Sequence, residues 1–216
     1  MPAWSHSQWK AFQTCPKKIG YRRKGIREPM NRYMSRGNRI HKDAEDFLLG
    51  KQKSVPATLA NFKDAMIELR KKKPTAEEEI AVTESWERVD WRDKRAWLRY
   101  KIDANYGPKN NRKVIDFKTG KIYLDDHTDQ LELYALAEMK IRGATKVSCE
   151  AWYFDQHEIL DLCDHTEKDV SELEEKWTER ARELLEAQEY PATPGYHCGI
   201  CGYNAKKGGP CEEAAE

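Results

Sequence analysis

Apolar positions in the first third of the chain fall at helical spacing. Trp9 and Phe12 share one face of a first helix that Ser5 can cap and that Pro16 stops just after Cys15. A second helix is expected from about Tyr33 to Leu49, ended by Gly50, with His41, Glu45 and Leu48 along one side because residues three and four apart are neighbours. A third runs from Ala57 to about Lys72 and is halted by Pro74. The period then changes. Ile80–Val89 and Ala96–Tyr106 alternate and are rich in β-branched and aromatic residues, and Lys113–Phe117 is a short apolar run before a turn at Thr119-Gly120. These three segments read as a meander. His127–Ile141 returns to the helical period, with Leu131, Tyr134, Ala135 and Met139 as its apolar stripe. Val147–Phe154 reads as a strand, Glu158–Leu162 as another, and Glu167–Gln188 as a long charged helix.

This order predicts an α/β (α+β) domain around a small mixed sheet flanked by helices. The length of 216 residues suits one domain. Its expected parts are a helical stretch over 1–75, a sheet core over 76–165, a helix over 166–190 and a tail over 191–216. That tail, rich in Gly, Pro and Cys, can be ordered only by something that fastens it.

Composition adds limits. The chain is 39% hydrophobic and 35% charged, with a mean hydropathy of -0.93, and no apolar run approaches the roughly 20 residues of a membrane helix. The opening MPAWSHSQWK has no apolar core of a signal peptide, so a cytoplasmic location is the expectation. A net charge of +1 excludes a uniformly positive coat, which counts mildly against a nucleic-acid partner. Local runs matter more: Lys17, Lys18, Arg22, Arg23, Lys24 and Arg27 form one, and Arg70–Lys73 another that serves equally well as a solvated face.

The residues that carry chemistry lie in WLRYKIDANYGPKNNRKVIDFKTG. Asp103 ends one predicted strand and Asp116 the next, so a hairpin would set their carboxylates side by side. Lys118 follows Asp116 by two, on the same face of a strand. Paired acids repel unless a cation lies between them, and hard oxygen ligands favour Mg²⁺ or Mn²⁺. A lysine beside them could orient or deprotonate a water and stabilise charge on a phosphate. Glu84 is a further acidic candidate on the first strand; Glu87 fits as surface charge.

Five motifs occur in a fixed order: SQWKAFQTCP (Ser7 to Pro16), RGNRIHKDAE with Gly37, His41 and Glu45, then Asp103, then IDFKTGK, then QLELYALA with Gln130 and Tyr134. In this the chain resembles the RecB-like PD-(D/E)XK nucleases over most of its length. The resemblance implies that His41, Asp103, Asp116 and the backbone carbonyl of Phe117 ligate one or two divalent ions, and that Lys118 acts on the attacking water. It also implies that Gln130 and Tyr134, one helical turn apart, steady Lys118 or hold the DNA backbone. The expected activity is a metal-dependent exonuclease on DNA ends or single strands, in recombination, repair, phage replication or CRISPR adaptation. A catalytically silent DNA-binding module and a site-specific endonuclease are the alternatives. Trp86 and Trp91, with Arg88 and Arg92 between and beside them, could stack on and guide a single strand, although they fit an edge strand shielding its own face as well; Arg22 and Arg23 are further candidate DNA contacts. No GxxxxGK[ST] pattern occurs, so a helicase motor would have to be supplied by a partner.

Cys198 and Cys201 form a C-x-x-C pair followed by Cys211, and either Cys15 or His197 could complete a tetrahedral set. The resemblance implies a [4Fe-4S] cluster on Cys15, Cys198, Cys201 and Cys211, as in the AddB-type and CRISPR-adaptation nucleases. The nine residues GYNAKKGGP between Cys201 and Cys211 exceed that family's spacing, which keeps Zn²⁺ as the alternative. Cys149 and Cys163 read as small apolar residues.

Overall fold

The computed structural model describes residues 3–214. Among the described residues six α-helices are formed: α1 (His6–Thr14), α2 (Pro16–Arg23), α3 (Arg32–Leu48), α4 (Lys63–Lys71), α5 (Leu124–Arg142) and α6 (Val170–Glu186). Six strands, β1 (Thr75–Val82), β2 (Arg88–Val89), β3 (Leu98–Tyr106), β4 (Asn111–Lys118), β5 (Lys146–Tyr153) and β6 (Glu158–Thr166), make one sheet in the order β2-β1-β3-β4-β5-β6. Every neighbouring pair is antiparallel except β4 and β5. That parallel pair requires a crossover, and α5 supplies it. The described residues form two compact units, residues 36–178 with residue 3, and residues 4–35 with 179–214. No helix among the described residues is long and apolar enough to cross a membrane.

The first unit holds the sheet. One face carries Ala76, Ala104, Ile115, Phe117, Trp152 and Phe154, packed in one apolar cluster with Ile40, Ala44 and Phe47 of α3 and Met66 and Leu69 of α4. On α5, Leu131, Leu133, Tyr134, Ala135, Leu136, Ala137 and Met139 are all buried, so this helix is wrapped by protein almost all round. Its one charged core residue, Glu138, is fully buried and takes ion pairs from Arg112 of β4 at 3.2 Å and Arg142 at 3.0 Å. Arg142 also bonds Glu78 of β1. A buried carboxylate persists because its charge is matched on both sides.

Three local differences from the sequence pattern have physical causes. α1 ends at Thr14, before Pro16, as expected, but Pro16 also opens α2, since proline suits the first turn, where its missing amide would have no partner. Cys15 sits extended between the two helices. The single strand expected over Ile80–Val89 is in fact β1 and the two-residue β2, separated by a turn in which Trp86 adopts φ 63°. β1 begins five residues earlier than its apolar pattern, at Thr75. The run of glutamates there looks like a loop, yet Arg88 pairs with Glu78 and Lys101 with Glu79, so a strand can carry them.

In the second unit Ser5 caps α1 by accepting from the Gln8 amide at 3.3 Å. Arg23 donates to the carbonyls of Leu184 and Leu185 at 3.0 and 3.2 Å and stacks on Tyr190. The Tyr190 side chain lies so close to α2 that a Cβ at Gly20 would meet it at 2.8 Å.

Candidate active site

The end of β4 and the neighbouring strands gather the acids. Register pairs Ala76↔Ala104 and Glu78↔Ile102 set Glu77 across from Asp103, and Ala104↔Ile115 leaves Asp103 and Asp116 as the next step. β1 breaks its regular geometry at Glu77, whose φ is 49°. A side chain pays about 1–3 kcal/mol for such a backbone, and positions of this kind concentrate at functional sites.

His41 comes to the same place from α3, which its buried neighbours Ile40 and Ala44 hold on the core. Its Nδ1 lies 3.1 Å from Asp103 Oδ1 and 3.3 Å from Glu77 Oε1. Gly37, one turn earlier, lets α3 approach the end of β4; a Cβ there would stand 3.3 Å from Thr119 Oγ1. The turn itself is fixed by Asp155, which accepts from the Gly120 amide at 2.7 Å and from Arg36.

Asp103 Oδ2 accepts from the Phe117 amide at 2.6 Å, which aims the carboxylate along β4. Asp116 is 3% exposed, and Lys118 Nζ lies 2.5 Å from its Oδ2. Lys118 also donates to Gln130 Oε1 at 2.7 Å. Gln130 Nε2 in turn donates to Asp116 Oδ1 at 3.2 Å and to the Tyr134 hydroxyl at 2.7 Å. Tyr134 is buried and stacked on Tyr100 at 5.4 Å. Gln130 and Tyr134 therefore hold Lys118 and Asp116 in one hydrogen-bonded chain.

Charges in this pocket are strongly perturbed. Burial pulls the His41 imidazolium toward deprotonation, but Asp103, Glu77 and Asp116 outweigh it and push its pKa up to about 10. Burial, helped by Asp103 and opposed by Lys118, raises Asp116 to about 6. Burial next to Asp116 holds the Tyr134 phenol well above its ordinary value. Without a metal, a protonated His41 thus sits where a cation is wanted between carboxylates.

Among the described residues, one group of three His, Cys, Asp or Glu side chains brings ligand atoms within 4.8 Å of one another: His41, Glu77 and Asp103. Glu77 escapes the sequence pattern because it lies before the expected strand. Glu84 is exposed in the turn after β1, away from this group. The family profile of the PD-(D/E)XK nuclease superfamily matches residues 98–205. This stretch holds Asp103, Asp116, Lys118, Gln130 and Tyr134, on a mixed sheet of the kind the profile implies. The chain belongs to the PD-(D/E)XK nuclease superfamily. It is similar in fold to SSO0001 (TM-score 0.54, 16% identity, covering 100% of this chain and 89% of that one). It is also similar to a protein of Eubacterium rectale named as a candidate exonuclease (TM-score 0.52, 11% identity, covering 88% and 84%). No curated protein sequence matches the chain.

The candidate DNA contacts fare differently. Trp86 is buried, donates to Glu174 Oε1 at 2.9 Å and packs edge-on to Trp97, so no base can stack on it. Its role is that of a core residue. Trp91 is half-buried beside the Arg99 guanidinium. Arg23 is occupied with the carbonyls of Leu184 and Leu185, and Arg22 is exposed, 3.8 Å from Glu28.

Within the second unit, Cys15, Cys198, Cys201 and Cys211 line one cavity, together with His197, Tyr21 and Tyr203, enclosing with its mouth about 340 Å³ of empty space. The Thr193 and Gly195 amides donate to the sulfurs of Cys15 and Cys198, each at 3.5 Å.

Proposed function

We propose that the chain is a divalent-metal-dependent DNA exonuclease whose reaction centre is the group His41, Glu77, Asp103, Asp116 and Lys118. The observation that carries this is the convergence of three carboxylates and an imidazole with the Asp116–Lys118 ion pair inside one hydrogen-bonded pocket. His41, Glu77, Asp103 and Asp116, with the carbonyl of Phe117, would hold Mg²⁺ or Mn²⁺, since hard carboxylate oxygens suit those ions. When bound, the ion supplies Lewis acidity and lowers the pKa of water. Lys118 is placed to orient the attacking water and to meet the negative charge growing on the phosphate. Gln130 keeps Lys118 in position by accepting from its ammonium, and Tyr134 keeps Gln130 from rotating by accepting from its amide.

The four cysteines fit a [4Fe-4S] cluster. Four thiolates on one cavity supply the full ligand set of such a cluster, and amides already point at two of the sulfurs. Such a cluster would fasten the Gly- and Pro-rich tail to Cys15.

The test is a time course on end-labelled single- and double-stranded DNA in Mn²⁺, with wild type, Asp116→Asn and Lys118→Ala. Progressive loss from an end by wild type alone is expected. Discrete internal fragments would establish an endonuclease, and equal degradation by all three proteins would remove the reaction from this site.

A further inference from the structure

A second concave site lies on the first unit, between the C-terminal turn of α3, the segment 53–55 and one face of α4. It is a groove with about 850 Å³ of empty space counting its open mouth. Phe47, Val55 and Ile67 give it an apolar floor; Lys53, Lys63, Arg70 and Lys71 bring four cations to its lining, and no carboxylate lines it. Lys63, Ile67, Arg70 and Lys71 are spaced to share one face of α4. Arg70 is locked rather than free: its guanidinium stacks on Phe47 at 4.8 Å and donates to the Gln52 carbonyl at 3.0 Å. Lys71 pairs with the exposed Glu68. Lys53 and Lys63 are exposed and point their charge to solvent. Arg70 and Lys71, the first two residues of the basic run Arg70–Lys73, therefore line a groove rather than a merely solvated face.

The groove and the reaction centre share α3, which carries His41 to one and Phe47 to the other. Phe47 lies six residues beyond His41 on α3, about 9 Å of helical rise, and packs in the same apolar cluster as Phe117 of β4. We infer that this groove holds the phosphodiester backbone of the nucleic-acid strand outside the segment that enters the reaction centre. The inference rests on the nuclease reading above and adds to it a second contact that makes affinity depend on strand length. Phosphates would meet Lys53, Lys63 and the fixed Arg70, while the apolar floor takes sugar or base edges. An acidic polypeptide would satisfy the cations too, but the nuclease reading already gives this chain a polyanionic strand to hold.

The experiment compares wild type, Lys53→Glu/Lys63→Glu, and a control of equal charge change on exposed sites elsewhere, Lys146→Glu/Lys168→Glu. Binding of a labelled 20-mer DNA strand is followed by anisotropy in Ca²⁺ over a salt series, with polyglutamate as a second probe. The groove variant should bind the 20-mer at least tenfold more weakly, and its salt slope should fall by about 1.4, two lost contacts at about 0.7 each for a single strand. Its cleavage of the 20-mer should fall at least tenfold further than its hydrolysis of the p-nitrophenyl ester of thymidine 5′-monophosphate. Equal losses in groove variant and control, an unchanged 20-mer affinity, or loss of polyglutamate binding alone would each overturn the proposal. Failure of the nuclease reading looks different: wild type would hydrolyse neither the ester nor the 20-mer, while the binding comparison would still decide the groove.

Discussion

Metal binding at this site should release protons, in a number that the structure sets. In the metal-free pocket His41 has its pKa at about 10 and Asp116 at about 6. At pH 7.5 His41 carries its proton and Asp116 has lost nearly all of its own, so an ion taking the imidazole as ligand must displace one proton. Affinity for Mn²⁺ should then rise tenfold for each pH unit between about 7 and 9, which is about 1.4 kcal/mol per unit. Below pH 6, where Asp116 is protonated as well, the dependence should steepen toward a hundredfold per unit. Anaerobic titration calorimetry of Mn²⁺ in HEPES and in Tris, whose ionisation enthalpies differ, counts the protons directly. About one should be released at pH 7.5 by wild type and about none by His41→Gln. The sign for stability follows from the same shift. A pKa raised on folding gives the metal-free protein stability that is whole below about pH 6.5 and is lost as pH climbs through about 10. Stoichiometric Mn²⁺ binding at pH 7.5 with no proton released would refute the reasoning, because the imidazole could not then be both protonated beforehand and a ligand afterwards.

Three further outcomes follow. Lys118→Met should lower cleavage about 10²- to 10⁴-fold while Mn²⁺ still binds, as read from kcat beside calorimetry. Glu138→Gln, which leaves Arg112 and Arg142 facing a neutral buried group, should cost about 3–5 kcal/mol and lower Tm by roughly 6–20 °C in a thermal melt. Protein purified without oxygen should be brown and Cys198→Ser colourless; a colourless wild type with stoichiometric zinc would assign the cavity to zinc instead.

Much of this site could be read from residue types at fixed spacing. Asp116 and Lys118 share a face because strands repeat every two residues, and Gln130 meets Tyr134 because helices bring i and i+4 together. Those relations are local, and local relations survive in a sequence. Glu77 was invisible because its strand is polar, and its charges are tolerated only through partners distant in the chain, such as Lys101. Trp86 looked like a stacking platform because its spacing with Arg88 resembles one; its burial depends on Trp97 and Glu174, which no pattern announces. The same holds for the sheet order. Nothing in the apolar alternation of β4 and β5 distinguishes a parallel pair from a hairpin, and only the helix between them settles it.

The backbone at Glu77 also bears on how this protein can change. A glycine or asparagine at that position would adopt the same φ of 49° with little or no penalty, at the smaller cost of the half-exposed pairs that Glu77 makes with His41 and Lys101. Heat tolerance should therefore improve by about 1 kcal/mol or more as the metal pocket is dismantled. A population screened for survival at high temperature, with no demand that it cut anything, is expected to drift at position 77 before most others. Retention of glutamate there under such a screen would mark the opposite: a carboxylate whose contribution to the fold exceeds the strain it carries.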